Sequence, residues 1–386
     1  MTQPFKQTIG IVGGGQLGKM LVESSAKWNV NFRILDPTLN APAARYASHF
    51  IQGSLTAEDK IRELAEGCDV LTYEIEHINC DVLASLEAEG KTVVPASKVL
   101  RIIQDKGLQK QFYLDHKIPT AAFKLMQSVD FEQAALKRFT GDSIVVKACQ
   151  GGYDGKGVAI LNKADATKAI IQAQFNGQIL LENYVPNAIE LAVIVGRSTS
   201  GQITCFPVVE MYFDPVKNLV DYLFSPANIS EEQRKTAVDL ATKTANALNS
   251  PGLFAVEMFL TQEGEILVNE VAPRPHNSGH HTIEACVTSQ YEQLMRILLD
   301  LPLGSTHQLH PAVMTNILGA EDVNGNYQLT GLKDFHLVEG SSLHWYNKEH
   351  SKPGRKMGHF TVVDVDLKQA IQKAQALKGM LKMVAK

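Results

Sequence analysis

Short apolar runs alternate with helical patterns along residues 1–95. The runs are "TIGIVG", "NFRILD", "DVLTYE" and "TVVP", and the segments between them, such as "AEDKIRELAEG", place apolar residues at the spacing of one helix face. Strands that alternate with helices in this way are typical of a parallel sheet covered by helices. The pattern therefore predicts an α/β domain at the N-terminus.

After Pro95 the pattern changes to a long polar helical stretch. It reads "SKVLRIIQDKGLQKQFYLDHK" and ends before Pro119, because a proline cannot continue a helix. We interpret this stretch as a linker between domains. From about residue 120 to 186, a helix, the strand "SIVVKA", a glycine loop, the strand "GVAIL", the helix "ADATKAIIQAQ" and the strand "ILLENYV" predict a small α+β unit.

Beyond Pro186 the strands are longer and follow one another directly. "ELAVIVG", "CFPVVEM", "LFAVEMFL" and "EILVNEVA" predict an antiparallel sheet, which the helices "SEEQRKTAVDLATKTANAL" and "SQYEQLMRILLDL" would cover. The stretch "SLHWYNKEHSKPGRKMGHFTVVD" and the amphipathic helix after it predict a small strand-rich appendage. The expected domains are residues 1–105, 106–186 and 187–386.

The composition is that of an ordinary globular protein. With 386 residues, 45% hydrophobic and 20% charged, the chain is long enough for two or three domains. A formal net charge of -4 gives no reason to expect a nucleic-acid partner or a membrane surface. No run approaches the roughly 18 apolar residues of a membrane span, and the N-terminus lacks a secretory pattern, so we expect a cytoplasmic protein. Five cysteines without a C-x-x-C pair argue against a disulfide framework or a metal knuckle.

The first candidate site is the glycine motif in "GIVGGGQLGKM". Gly13, Gly15 and Gly18 satisfy G-x-G-x-x-G between a strand and a helix, and Asp36 ends the next strand at about the dinucleotide spacing. The motif alone permits NAD binding. Any tight strand-to-helix turn also needs glycines, and Pro37 follows Asp36 as in a plain turn. We favour a packing turn or a site for another anion, with the dinucleotide site as the alternative.

The second candidate site is the loop in "VVKACQGGYDGKGV". Lys147 precedes the loop on a strand, and its glycines allow backbone N–H groups to converge on an anion. These glycines are Gly151, Gly152, Gly155 and Gly157. The loop lacks the Gly-Lys-Ser/Thr ending of a Walker loop, since Gly157 follows Lys156. We interpret it as a hairpin lid over phosphate, and the alternative is an ordinary glycine-rich turn.

The third candidate site is a pair of glutamates in "LFAVEMFLTQEGEILVNEVA". A hairpin that turns at Glu263 and Gly264 pairs residue 262 with 265 and therefore Glu257 with Glu270. Two carboxylates about 5 Å apart repel by about 3 kcal/mol at an effective dielectric of about 20, so a cation is expected between them. Mg²⁺ held by the carboxylates and by substrate phosphates meets this need. The alternative is a solvated polar face, which the apolar residues of both strands argue against.

The stretch "NEVAPRPHNSGHHT" follows the second glutamate directly. It offers groups that could bind an anion beside the metal, namely Arg274, His276, Asn277 and Ser278. A zinc site of His276, His280 and His281 is the alternative, although it matches no known ligand pattern. Farther along, the basic segment "KEHSKPGRKMGH" is either a solvated loop or a second anion site, through Lys348, Arg355 and Lys356.

Together these motifs resemble those of the ATP-grasp superfamily, which has a lysine on a strand, a glycine lid, a strand like "LENYV" and two glutamates on a late hairpin. Within it, the chain is similar to the 5-(carboxyamino)imidazole ribonucleotide synthase family. The matching motifs are "GGGQLGKM", "YEIEHI", "GGYDGKG", "NEVAPRPHNSGHHT" and "HWYNKEHSKPGRKMGH", and they span most of the chain.

The resemblance implies an ATP-grasp fold with a Rossmann-like N-terminal domain, a central lid domain and a C-terminal antiparallel-sheet domain. It implies ATP and Mg²⁺ as cofactors, with Glu257 and Glu270 as metal ligands. The implied ATP contacts are Lys106, Lys147, Gly151, Gly152, Tyr153, Asp154, Gly155, Lys156, Gly157, Glu182, Asn183, Tyr184, Val185, Glu190, Asn269 and Glu270. The implied ribonucleotide contacts are Gln16, Leu17, Glu76, Arg274, His276, Asn277, Ser278, Lys348, Arg355 and Lys356. The implied catalytic residues are Tyr153, Asp154, Lys348 and Arg355.

The implied reaction is the carboxylation of aminoimidazole ribonucleotide by bicarbonate in purine synthesis, driven by ATP through carboxyphosphate. Carboxyphosphate decomposes quickly in water, so a closing lid would have to exclude water. Our hypothesis is that Tyr153 and Asp154 face the imidazole substrate, where Asp154 accepts a hydrogen bond or a proton from the amine. Lys106 stands where the family often has arginine and Phe213 where it often has histidine, which bears on one nucleotide contact.

Three other functions stay open at this point. The nearest is that of the formate-dependent glycinamide ribonucleotide ligase, which is another ATP-grasp enzyme. An NAD-dependent dehydrogenase would instead use "GGGQLG", and a regulatory protein would bind a nucleotide without catalysis. The family usually forms homodimers, so we expect a homodimer here.

Overall fold

The computed structural model describes residues 6–151, 157–214 and 219–386. Its first strands are β1 Thr8–Val12, β2 Asn31–Asp36, β3 His49–Gln52, β4 Val70–Tyr73 and β5 Thr92–Val93, and the helices among them are α1 Gln16–Ser24, α2 Glu58–Glu66 and α3 Cys80–Ala88. The strands form one parallel sheet in the order β3-β2-β1-β4-β5. Helices cover both of its faces, so β1 is buried at all but its first residue. The predicted α/β unit is confirmed.

The connection to the next sheet is two helices, and the prediction of one long helix is wrong. The helices are α4 Ser97–Gln104 and α5 Lys106–Asp115. Asp105 between them is extended, at φ -123° and ψ 111°, and its carboxylate accepts hydrogen bonds from the N–H groups of Gly107 and Leu108 at 2.8 and 3.0 Å. An aspartate that caps a helix favours a new helix start over continuation of the preceding one. The break turns α5 so that Lys110 is buried.

The second sheet is small and antiparallel. Its elements are β6 Phe123–Gln127, β7 Ser143–Ala148, β8 Val158–Asn162, α6 Lys168–Gln174 and β9 Gln178–Asn183. The strand order is β6-β9-β7-β8. The helix expected before β7 is wrong, because that segment pairs with β9 as the edge strand β6 and continues in short 3-10 turns. Strands β7 and β8 form a hairpin that opposes Lys147 and Val158, and the central residues of the glycine loop, 152–156, lie outside the described residues.

The third sheet is the largest. The remaining strands are β10 Ile189–Arg197, β11 Ile203–Cys205, β12 Val209–Asp214, β13 Leu219–Ser225, β14 Gly252–Leu260, β15 Ile266–Ala272, β16 Ala312–Leu318, β17 Tyr327–Thr330, β18 Ser341–Trp345, β19 Lys356–Val363 and β20 Lys382–Ala385. Eight of them follow the order β15-β14-β10-β12-β13-β16-β19-β18, with β11 beside β10. The expected antiparallel sheet is confirmed. In the last, strand-rich part of the chain, β18 and β19 extend this sheet, and β17 and β20 pair with each other apart from it.

A shared hydrophobic core joins the first and third sheets. The helices beyond α6 are α7 Glu231–Leu248, α8 Thr282–Ala285, α9 Gln290–Leu298, α10 Leu332–Phe335 and α11 Leu367–Met380. Met20 and Leu21 of α1 belong to the same buried cluster as Leu294 and Met295 of α9. Burial of such side chains from both units stabilises their contact, at about 1.5–3 kcal/mol for each fully buried side chain. None of the described helices is long and apolar enough to cross a lipid bilayer.

Removal of the cap between α4 and α5 tests this connection. We expect Asp105→Ala to destabilise the protein by about 1 kcal/mol, the usual cost of losing an N-cap. We also expect it to weaken ATP binding, because α5 begins at Lys106, which the resemblance implies as an ATP contact. Thermal denaturation and nucleotide titration measure the two effects.

The control is Asp366→Ala, because Asp366 caps α11 through the N–H groups of Lys368 and Gln369 at 2.7 and 3.1 Å. It should lower stability to a similar extent and leave ATP binding unchanged. Equal ATP affinity in both variants would contradict a role for the break in placing Lys106.

Candidate active site

The two glutamates predicted for the metal are direct neighbours across the sheet. Glu257 of β14 lies opposite Glu270 of β15, as expected. The predicted pairing of residue 262 with 265 is wrong, because Leu260 pairs with Ile266 and the Thr261 N–H donates to the carbonyl of Glu265. A β-bulge after Glu257 restores the register. An irregularity of this kind adds one unpaired residue to a strand, and the extra residue here is Asn269, which lies beside Glu270.

The environment shifts the pKa values of the two carboxyl groups in opposite directions. Burial raises the pKa of Glu257 above its usual range, and the charges of Glu270 and Glu190 raise it further. The ammonium group of Lys106, 2.7 Å from Glu270, lowers the pKa of that carboxyl. His276 Nε2 lies 3.1 Å from Glu257 Oε1. The repulsion between the glutamates is therefore relieved by one nearby cation and by partial protonation.

The donor chemistry of this pair fits a magnesium ion. Both glutamates offer carboxylate oxygens, and the Glu270 side chain keeps 41% of its surface exposed to the cleft. Among the residues described, no three His, Cys, Asp or Glu side chains are arranged to hold a metal. A site with two carboxylates that leaves other positions for substrate oxygens is typical of Mg²⁺ in ATP-using enzymes, whereas structural zinc needs four protein ligands.

Two buried lysines, Lys110 and Lys147, belong to a charged cluster beside the glutamates. Lys147 of β7 contacts Glu182 of β9 at 2.7 Å and donates to Asn269 Oδ1 at 3.1 Å. Lys110 of α5 contacts the other oxygen of Glu182. Glu182 is only 2% exposed, so its carboxylate meets these lysines and little water. The sequence analysis predicted Lys106 and Lys147 but missed Lys110, whose signal was its position one helical turn after Lys106.

The other predicted nucleotide residues lie on β9 and β10, just after β9, and at the two ends of the glycine loop. Glu190 of β10 is opposite Met211 and Phe259, and burial, followed by the charge of Glu270, raises its pKa to about 7. Asn183 accepts a hydrogen bond from the Thr140 N–H at 3.1 Å. Tyr184 is 38% exposed. Val185 is partly buried, and Gly151 and Gly157 have the positive φ values of 78° and 73° that favour glycine.

Several predicted residues lie outside the part of the chain that the structure describes. They are Gly152, Tyr153, Asp154, Gly155 and Lys156. Their roles, including the hypothesis for Tyr153 and Asp154, stay predictions.

The glycine motif is occupied by the protein's own carboxylates. Glu74 accepts hydrogen bonds from the N–H groups of Gly15 and Gly18 at the start of α1. Asp36 accepts from the Gly14 N–H at 2.8 Å, as in a plain turn. The N–H groups that would bind a dinucleotide phosphate are thus already satisfied. This geometry favours the packing turn over the NAD site.

Residues of the first sheet domain meet the stretch after β15. Arg274 Nε lies 2.8 Å from Glu76 Oε1, so the motifs "YEIEHI" and "PRPHNSGH" are in contact. Gln16 begins α1 and is partly buried, and Leu17 beside it is buried. Of the predicted ribonucleotide residues, Glu76 and Arg274 are therefore brought together from distant parts of the chain.

The loop that carries His276 is held by buried amides. Asn277 and Asn316 exchange two hydrogen bonds, at 2.9 and 3.0 Å. Ser278 Oγ lies 2.8 Å from His276 Nδ1, and the Ser278 side chain is fully buried. In this arrangement Asn277 and Ser278 orient the loop, and direct contact with a ribonucleotide stays a prediction for them.

Gln290 is a further residue that the sequence analysis missed. Its side chain accepts from the His276 N–H at 2.9 Å and donates to the His276 carbonyl at 2.8 Å. The same amide nitrogen lies 3.1 Å from His280 Nδ1, as does the hydroxyl of Tyr291. Burial lowers the pKa of His280 well below its usual value, so the ring is neutral. Gln290 and Tyr291 thus engage His280 Nδ1, and the described residues include no three side chains arranged to hold a metal, which argues against the zinc alternative.

The basic segment lies at the edge of the third sheet. Lys348 donates to the Lys356 carbonyl at 2.6 Å, and Arg355 donates to the His350 carbonyl at 2.6 Å. The charge of Lys356 partly offsets the raised pKa of Glu257. The positive charge of this segment therefore acts on Glu257.

Comparison with known proteins gives three family matches along the chain. Residues 6–104 match the ribonucleotide synthetase preATP-grasp domain, residues 111–291 the ATP-grasp domain, and residues 312–373 the phosphoribosylaminoimidazole carboxylase C-terminal domain. The last family covers β16, β18 and β19 of the third sheet, and β17, which lies between β16 and β18 in the chain.

Individual relatives match over nearly the whole chain. A chloroplastic phosphoribosylaminoimidazole carboxylase of Vigna aconitifolia is 39% identical over 94% of this chain, which spans 65% of that protein. The crystal structure of N5-carboxyaminoimidazole ribonucleotide synthetase from Thermotoga maritima is 44% identical, with a TM-score of 0.90 over 98% of this chain and 100% of that one. An Aspergillus clavatus synthase in complex with ADP and 5-aminoimidazole ribonucleotide is 32% identical, with a TM-score of 0.87 over 97% and 98%.

The clamp on His276 can be tested by a pair of buried glutamines. We expect Gln290→Leu to lower stability, because each buried group left unpaired costs about 1–3 kcal/mol. We also expect turnover of ATP to fall by roughly ten- to a hundredfold, as when a reacting group is displaced by about 1 Å. Urea denaturation and steady-state kinetics measure the two effects.

The matched control is Gln293→Leu, three residues along the same helix. Gln293 is also fully buried and accepts from the Gly304 N–H at 2.9 Å. The Gln293→Leu variant should be less stable to urea and should turn over ATP at the unaltered rate. Equal loss of turnover in the two variants would show that Gln290 has only a general structural role.

Proposed function

Because the chain belongs to the N5-carboxyaminoimidazole ribonucleotide synthase family of ATP-grasp ligases, we propose that it uses ATP and bicarbonate to carboxylate 5-aminoimidazole ribonucleotide. The products are N5-carboxyaminoimidazole ribonucleotide, ADP and phosphate, in purine biosynthesis. The single observation that carries the proposal is the pairing of Glu257 and Glu270 beside Lys106 and Lys147.

We propose that the nucleotide binds beside Lys106 and Lys147. The ammonium groups of Lys106 and Lys147 would meet the phosphates, since Lys is a common phosphate ligand. Residues 182–185 would lie against the adenine and Glu190 would accept from the ribose. The proposal is supported by the convergence of α5, β7, β9, β10 and β15 on this cleft.

Magnesium would be held by Glu257 and Glu270. When bound, it would neutralise phosphate charge as the phosphoryl group moves. Lys106 and His276 now contact these carboxylates at 2.7 and 3.1 Å. Both side chains would be released toward the substrates once a metal holds the glutamates.

The chemistry proceeds through carboxyphosphate. An oxygen of bicarbonate attacks the γ-phosphorus of ATP as its bond to ADP breaks. Carboxyphosphate releases carbon dioxide and phosphate, and the exocyclic amine of the ribonucleotide forms a C–N bond to the carbon as it loses a proton. We propose Asp154 as the acceptor of that proton and Tyr153 as its neighbour in ordering the site.

The ribonucleotide would lie between the first and third sheets. Gln16, Leu17 and Glu76 would contact it from one side and Arg274 and His276 from the other, which the ion pair between Glu76 and Arg274 supports. Lys348, Arg355 and Lys356 would bind its 5′-phosphate. We also propose the domain division 1–105, 106–186 and 187–386, a homodimer, and a place in the cytoplasm.

The first experiment measures ADP release with each substrate set. We expect release that needs Mg²⁺, ATP and aminoimidazole ribonucleotide, with carbonate-derived carbon in an acid-labile product. Glycinamide ribonucleotide with formate is the parallel assay, and stimulation by that pair alone would move the function to the formate-dependent ligase.

Thermal protection separates the enzyme from a dehydrogenase. Mg-ATP should raise the melting temperature, because a ligand that binds only the folded state stabilises it. NAD should not, since Glu74 occupies the turn. Protection by NAD alone would contradict the proposed nucleotide site.

The phosphate site predicts a selective kinetic effect. We expect Arg355→Ala to raise the apparent KM for the ribonucleotide by roughly ten- to a hundredfold, the range for a lost hydrogen bond to a charged group. The KM for ATP should hold. Arg296→Ala is the control, because Arg296 pairs with Glu292 at 2.8 Å on α9. An unchanged ribonucleotide KM in Arg355→Ala would refute this phosphate site.

A further inference from the structure

Lys110 is a fully buried lysine that the proposed reaction does not use. Its side chain is 3% exposed, and its ammonium group contacts one oxygen of Glu182 and the hydroxyl of Thr120. Thr120 in turn donates to the Val268 carbonyl of β15 at 2.7 Å. The lysine therefore ties α5 to the second and third sheets. A buried ion of this kind is costly and is rarely kept for stability alone.

Glu182 is shared by two lysines. One carboxylate oxygen contacts Lys110, and the other lies 2.7 Å from Lys147. Two ammonium groups on one carboxylate leave a net charge of one positive unit. Of the two, Lys147 is the one that also reaches Asn269, beside the metal pair. The surplus charge is therefore presented on the cleft side of the cluster.

We propose that Lys110 is a positioning residue for the nucleotide, because it neutralises Glu182 and leaves the charge of Lys147 for the phosphates. This inference rests on the proposed placement of the nucleotide above Lys147. Without Lys110, Glu182 would neutralise Lys147 and the cluster would carry no net charge. An anionic ligand would then lose an attraction that is strong in a site with little water.

The surroundings of Lys110 give the cluster a dependence on pH. The charged groups that face it are Glu182 of β9, Lys147 of β7 and, at longer range, Glu270 of β15, and the ring of Tyr113 lies 5.7 Å from Nζ. Burial lowers the pKa of Lys110 to about 8, although Glu182 opposes the shift. Below this pH the lysine is charged and the cluster is positive. Above it the lysine is neutral, so affinity for an anionic nucleotide should fall.

The test is a titration with Mg-ADP at pH 7 for a set of variants. We expect Lys110→Met to weaken binding by about tenfold and Lys110→Arg, which keeps the positive charge, to retain most of the affinity. Lys147→Met should bind weakly, and Lys235→Met, on the exposed face of α7, should bind like the unaltered protein. Normal binding by Lys110→Met, or an equal loss in Lys110→Arg, would overturn the proposal.

A second measurement does not depend on the folding of Lys110→Met. Affinity of the unaltered protein for Mg-ADP should fall by about tenfold between pH 7 and 9.5, and Lys110→Arg, which stays charged, should flatten this fall. The same fall in Lys110→Arg would contradict the inference. If Lys147→Met binds normally, the proposed nucleotide site itself is wrong, which separates the two failures.

Discussion

The structure depends on one constraint: a cluster of charged side chains must be held together where several of them are buried. Its carboxylates belong to Glu182, Glu190, Glu257 and Glu270 and its ammonium groups to Lys106, Lys110 and Lys147. Removing each charge from water costs several kcal/mol, and attraction within such clusters seldom returns more than apolar packing would. The hydrophobic cores around the cluster must therefore supply the stability that holds these charges together.

Irregular features of the chain bring these charges together. The bulge after Glu257 leaves Asn269 unpaired beside Glu270, and the Asn269 side chain accepts a hydrogen bond from Lys147. The break at Asp105 starts a new helix whose first residue, Lys106, meets Glu270. The same aspartate accepts from Gln150 at 2.9 Å, at the base of the glycine loop. The contacts among these side chains therefore depend on departures from a regular helix and a regular hairpin.

The sequence predicted what local patterns control. Alternating apolar runs predicted the parallel and antiparallel sheets, and the hairpin pattern predicted that Glu257 and Glu270 are neighbours. The hairpin register was right for the wrong reason, since two one-residue errors, at the turn and at the bulge, cancelled. Lys110 was missed because its partner, Glu182, lies far along the chain in another sheet. Gln290 was missed because it meets His276, 14 residues earlier, across an irregular loop that has no periodic pattern. No periodicity in the neighbourhood of a residue records a partner in another sheet.

The glycine motif shows why a local pattern does not decide a ligand. Glycines leave the N–H groups at the start of α1 open to any carboxylate or phosphate of suitable position. Glu74 comes from the end of the neighbouring strand β4, about sixty residues away, and its charge is held there without the translational cost that a free anion would meet. A tethered carboxylate therefore competes with any phosphate for the same N–H groups, so the glycine motif alone does not identify a nucleotide site.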